Sequence, residues 1–95
     1  EQIVIPEVVL AEFVGVLLRR YNEKTADYWV RRLEPYTVTV GLSVFLGAVK
    51  FRYKYKEKNF SFFDAVGYVY SLTNNCLFVT GDKAFKGFKS VNHIK

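Results

Sequence analysis

Short runs rich in β-branched residues, QIVIP, YTVTV, CLFVT and SVNHIK, recur along the chain with helical segments between them. This alternation constrains the fold more than any other feature. Strand cores rich in β-branched residues and separated by helical segments argue for parallel pairing beneath flanking helices. The expectation is an α/β fold, a three-layer α/β/α sandwich with a mostly parallel sheet.

The helical segments can be bounded from their spacing and end signals. Pro6 closes QIVIP and suits the first turn of a helix over residues 7–20, which ends on Arg19 and Arg20, where cations oppose the negative end of the helix dipole. Ala26, Trp29, Val30 and Leu33 predict a second helix over about residues 23–33, stopping before Pro35. YTVTV, residues 36–40, reads as a strand with Gly41 as its stop. Leu42, Phe45, Leu46, Val49 and Tyr53 fall on one helical face, although residues 50–55 also alternate with period two and leave a strand open there. Ser61 opens a helix to about Leu72, CLFVT is a strand, DKAFKGF a helical turn and SVNHIK a last strand.

With 51% hydrophobic and 18% aromatic residues in 95, the chain can bury a core of its own, which excludes a disordered or low-complexity segment. No apolar stretch reaches the roughly 18 uncharged residues of a membrane span, because Glu12 interrupts VVLAEFVGVLL. Cys76 is the single cysteine, so an internal disulfide is impossible and a reducing, cytoplasmic location is expected. Cys76 reads as core filler, and His93 as a surface or packing residue. The net charge of +5 favours a polyanionic partner. It gathers in KFRYKYKEK, where Lys50, Arg52, Lys54, Lys56 and Lys58 interleave with Phe51, Tyr53 and Tyr55. Such a strip can neutralise phosphates and stack unpaired bases, or it can be a solvated face whose aromatics cover the core.

Three acids stand apart from this basic background. In open parallel sheets the ligand crevice lies beyond the carboxyl ends of the strands, so Asp82, just past FVT, points to the expected site; Gly-Asp before a helical turn is equally ordinary capping chemistry. Glu12 has Val8, Val9, Gly15 and Val16 one turn away, and Asp64 has Phe60, Ser61, Gly67 and Tyr68, in neither case with a cation. Ser61 and Asp64 also match the S-x-x-D capping box, a role compatible with function. If the three converge, carboxylates about 4 Å apart repel by roughly 4 kcal/mol at an effective dielectric near 20 and need protons or a cation. An oxygen-only donor set selects a hard ion, Mg²⁺ or Mn²⁺, that can activate water against a phosphodiester.

Glu12 within VVLAEFVG, Asp64 within FSFFDAVGYVYS and Asp82 within LFVTGDKAFKGF, in this order on alternating elements, resemble the PIN-domain ribonucleases, including the toxin subunits of VapBC toxin–antitoxin pairs. The resemblance covers essentially the whole chain, and the block ending Thr-Gly-Asp is its most specific part. It implies a metal-dependent endoribonuclease with Glu12, Asp64 and Asp82 as catalytic and metal-holding acids, Thr80 bordering the site, and Lys83 for phosphate contact beside the RNA-binding candidates Lys50, Arg52 and Lys54. It further implies a homodimer, a possible antitoxin protein as partner, and no membrane. Members of the family also carry a central strand with another Asp, followed by a helix, ahead of the position of QIVIP. Residues 1–95 are therefore expected to form a single PIN-like domain that is N-terminally incomplete. The alternative is a non-catalytic RNA-binding or protein-interaction domain of the same architecture.

Overall fold

The computed structural model describes residues 3–80 and 82–94. The chain divides into two compact units, residues 1–40 and 41–95.

In the first unit, strand β1 (Ile5–Pro6) leads directly into helix α1 (Glu7–Arg20), and helix α2 (Glu23–Leu33) precedes strand β2 (Thr37–Val38). Pro6 stands at the N-cap of α1 with φ −58°, already suited to helix entry, and Arg19 and Arg20 occupy its last turn as expected. Asn22 caps α2 by accepting a hydrogen bond from the Thr25 amide at 2.8 Å. β1 and β2 pair in parallel, Ile5 beside Thr37 and Pro6 beside Val38. The strand expected over residues 36–40 is shorter than its β-branched run. Pro35 starts a 3-10 turn over Glu34–Tyr36, and the Thr37 hydroxyl donates to the Glu34 carbonyl at 2.8 Å, which takes Tyr36 out of the ladder. Of QIVIP, Gln2 lies outside the described residues, and the strand occupies only its last two positions.

In the second unit the order is helix α3 (Leu42–Lys54), a 3-10 turn (Lys56–Lys58), helix α4 (Phe62–Thr73), strand β3 (Phe78–Thr80), a 3-10 turn (Lys83–Phe85) and strand β4 (Val91–His93). β3 and β4 are parallel, with Phe78, Val79 and Thr80 beside Val91, Asn92 and His93. The strand alternative for residues 50–55 does not form. A strand would put Phe51, Tyr53 and Tyr55 on one face, whereas the helix turns Phe51 and Tyr55 onto the core and leaves Tyr53 73% exposed. Asn59, at φ 58°, adopts the left-handed conformation that Asn tolerates and lets the chain reverse into α4.

The core of this unit is aromatic. Phe60, Tyr68 and Phe85 are buried together, with Phe51, Tyr55, Phe78, Phe88 and Val91 packed around them. Phe85 is completely enclosed, its ring centroid 4.2 Å from that of Phe60 and 5.0 Å from that of Phe78. The Tyr68 hydroxyl, pushed up in pKa by burial and by Tyr55, stays protonated and donates to the Lys89 carbonyl at 2.7 Å. α3 and α4 approach closely at Gly47, where an added Cβ would lie 3.0 Å from Val69 Cγ1. Cys76 is half-buried and outside this cluster, so it is not the core filler that its apolar neighbours suggest.

The parallel pairing agrees with an α/β fold, but the described strands form two separate two-stranded sheets in place of the single expected sheet. Strands of two or three residues offer too few ladder bonds to template a wide sheet. No helix of the described residues is long and apolar enough to cross a membrane.

Phe85→Ala should lower the unfolding free energy by about 3–5 kcal/mol, as expected for truncating an enclosed ring. Tyr53→Ala, at an exposed position, should change it by less than about 1 kcal/mol. Urea denaturation followed by Trp29 fluorescence and by circular dichroism reads both; equal effects would show that the aromatic cluster does not hold the fold.

Candidate acidic site

Asp64 owes its position to the start of α4. Ser61 takes the N-cap, its Oγ accepting from the Asp64 amide at 3.0 Å, and this places the Asp64 side chain in the first turn, where the helix dipole favours an anion. The capping reading of S-x-x-D is therefore correct for Ser61. Asp64 is half-buried, and desolvation raises its carboxyl pKa above the ordinary 3.8. The negative charge of Asp82 pushes it further up, and a side-chain hydrogen bond with Ser61 pulls it partly back.

Asp82 comes two residues after the carboxyl end of β3. Its amide donates to Thr80 Oγ1 at 3.0 Å, and its Oδ1 accepts from the Ala84 amide at 2.9 Å, so it caps the Lys83–Phe85 turn. The capping alternative thus holds here too, and it fixes an exposed carboxylate at the strand end, next to the Thr80 hydroxyl. Lys83 follows it, exposed, at the first position of the turn.

The structure thus brings Asp64 and Asp82 within electrostatic reach across 18 positions of sequence, with Thr80 at their border. Glu12 lies in the middle of α1 in the first unit, half-buried, and it is not the partnerless carboxylate that its helical neighbours suggest. No group of three or more His, Cys, Asp or Glu side chains gathers as a metal site among the described residues. Of the three acids, Asp64 and Asp82 are the two related electrostatically, through the charge of Asp82 on the Asp64 carboxyl. Two carboxylates with a hydroxyl beside one of them offer oxygen donors only, which suit a hard divalent cation better than a soft one.

Of the basic candidates, Lys50, Arg52 and Lys54 are exposed on the C-terminal half of α3. Arg52 is anchored, its Nε donating to the Phe60 carbonyl at 2.8 Å. Residues 41–95 hold nine Lys and Arg against three Asp and Glu, while residues 1–40 hold five against six. All of the positive excess therefore belongs to the unit that carries the acidic pair. His93, read from sequence as a packing or surface residue, pairs in register with Thr80, and its Nε2 is buried without a hydrogen-bond partner. Only the β3–β4 register reveals that neighbourhood, and a lone histidine carries no such signal in sequence.

The sequence matches the family described as PIN domain over residues 1–90. The chain belongs to the PIN-domain family. PIN domains are generally nucleases, bind RNA and typically use divalent metals. Comparison with curated proteins gave no match, and comparison with solved structures gave none. In this PIN domain the acids within FSFFDAVGYVYS and LFVTGDKAFKGF are the two that the structure couples.

The raised pKa of Asp64 has a definite sign in stability. The folded state binds the proton more tightly than the unfolded chain, so this contribution is full below pH 3.8 and is lost as pH rises through the higher folded value. Asp64→Asn should therefore be more stable than the parent at neutral pH, and the difference should vanish in acid. Asp82→Asn should bring the Asp64 carboxyl back toward its ordinary range. Unfolding free energies at a series of pH values, with the Asp64 carboxyl followed by NMR, check both; a pH-independent difference would rule the coupling out.

Proposed function

We propose that this PIN domain is a metal-dependent endoribonuclease that hydrolyses RNA phosphodiester bonds, with Asp64 and Asp82 as acidic residues, Thr80 beside Asp82, and Glu12 of the first unit as a further candidate acid. The observation that carries the reading is the electrostatic coupling of Asp64 with Asp82 at the carboxyl end of a parallel strand. Two acids so disposed are held in repulsion unless a cation or proton relieves it. A Mg²⁺ or Mn²⁺ ion bound there would supply an activated water and offset charge on the scissile phosphate. The Ala84 amide holds the Asp82 carboxylate, and Ser61, accepting from the Asp64 amide, fixes the backbone from which the Asp64 side chain projects. Lys83 gives the phosphate a cation beside Asp82, and Lys50, Arg52 and Lys54 hold the RNA backbone.

The role of toxin in a toxin–antitoxin pair, acting in the cytoplasm as a homodimer checked by an antitoxin, belongs to the same proposal. It is supported by Leu42 and Leu46, which are 71% and 51% exposed on one face of α3, a face that a protein partner would cover. Light scattering should give twice the monomer mass, and Leu46→Glu should return it to one. A single unchanged mass for both chains would remove the dimer from the proposal.

A second reading also has an observation in its favour. Asp82 already does structural work as a cap, and Asp64 lends its amide to the Ser61 cap, which fits a non-catalytic domain that binds RNA through its basic face. Asp64→Asn separates the two. For the nuclease, Mg²⁺-dependent cleavage of RNA should fall more than about 100-fold, beyond the 10–100-fold typical of a supporting residue. Mg²⁺ should also stabilise the parent, by about 2.7 kcal/mol at 100 times its Kd, and the variant much less. Cleavage retained by a folded Asp64→Asn chain would decide for the second reading.

A further inference from the structure

Beyond the end of α3, the Lys56–Lys58 turn and left-handed Asn59 send the chain back into α4. The reversal forms a groove of about 380 Å³ lined by Val49, Arg52, Tyr53, Lys56, Asn59 and Phe60. None of the three candidate acids lines it. We propose that this groove is a subsite for single-stranded RNA, seating one unpaired base on Tyr53 and the flanking phosphates on Arg52 and Lys56.

Four observations lead there. Tyr53 is 73% exposed, yet it sits on a helix clamped from beneath, because Phe51 and Tyr55 on either side of it are packed into the aromatic cluster. The ring is thus a platform on a rigid support, the arrangement on which bases stack without sequence preference. Lys56 Nζ lies over the Tyr53 ring, 4.7 Å from its centroid, so one face of the platform carries a cation and a base would take the other. Arg52 is steadied by its Nε bond to the Phe60 carbonyl at 2.8 Å, so the guanidinium meets a phosphate from a fixed position with its terminal nitrogens as donors. Finally, the groove wall has two cations and no carboxylate, in a unit where nine basic residues face three acidic ones. A duplex offers no open base face to such a platform, which selects an unpaired strand.

The inference takes its ligand class from the proposed function but does not depend on cleavage, and its test separates the two. Fluorescence anisotropy is measured on the full chain with a labelled 10-nucleotide single-stranded RNA in EDTA, where no metal-dependent cleavage occurs. Tyr53→Ala should weaken binding by about 5- to 150-fold, the range of one stacked base, while Tyr53→Phe stays near the parent. Lys56→Ala should reduce the slope of log affinity against log salt by about 0.7, one phosphate contact on a single strand. A duplex of the same sequence should be indifferent to Tyr53→Ala.

Tyr53→Ala binding within twofold of the parent would overturn the subsite, as would an equal loss on the duplex. Poly-glutamate bound with the same Tyr53 dependence would overturn it in favour of an acidic protein partner. Tyr53→Ala that dissolves a dimer while keeping its RNA affinity would assign the residue to self-association instead. Tyr53-dependent binding by a chain that cleaves nothing in Mg²⁺ would leave the subsite standing and remove the nuclease.

Discussion

The packing of Phe85 against Phe60, Tyr68 and Phe78 is the interaction on which the second unit depends. These rings come from four places: the Lys83–Phe85 turn, the loop before α4, α4 itself and β3. Their enclosure is what brings the two ends of the candidate site together. Asp64 starts the helix that carries Tyr68, and Asp82 caps the turn that carries Phe85. The charge of Asp82 therefore reaches Asp64 because the aromatic side chains a few residues after each are buried in one cluster.

The same cluster bears on the basic face. Phe51 and Tyr55 commit one side of α3 to the core, so Arg52, Tyr53 and Lys54 are turned outward on a helix that cannot rotate. A basic strip of this composition on a free peptide would be a flexible polycation. Here it becomes a surface with fixed spacing, and Arg52 is tied down further by the Phe60 carbonyl. Core packing and the basic surface are thus two sides of one helix.

Capping and a fixed carboxylate go together in this architecture for a physical reason. A residue at a helix or turn start must present a side-chain oxygen to free backbone amides, and the same geometry holds a carboxylate in a defined orientation at the end of a strand. Asp82 shows both at once, with one oxygen on the Ala84 amide and its own amide on Thr80. Asp64 differs in being half-buried, which explains why its proton affinity shifts upward.

Local chemistry was readable directly. Pro6, Arg19 and Arg20 delimit α1, Ser61 starts α4, and the Thr-Gly-Asp block ends a strand where Asp82 begins a turn, because caps, dipoles and proline geometry act over a few residues. Other features needed the folded chain. Both the helical spacing and the period-two spacing group Tyr53 with apolar residues, yet it is exposed, because α3 turns Val44, Ala48 and Phe51 inward and leaves Leu42, Leu46, Val49 and Tyr53 outside. Tyr36 left its strand because Pro35 and the Thr37 hydroxyl built a competing turn. The register that sets His93 beside Thr80, and the approach of Asp64 to Asp82, are long-range facts. They arise from how α4, β3 and β4 pack on one another, which no local pattern encodes.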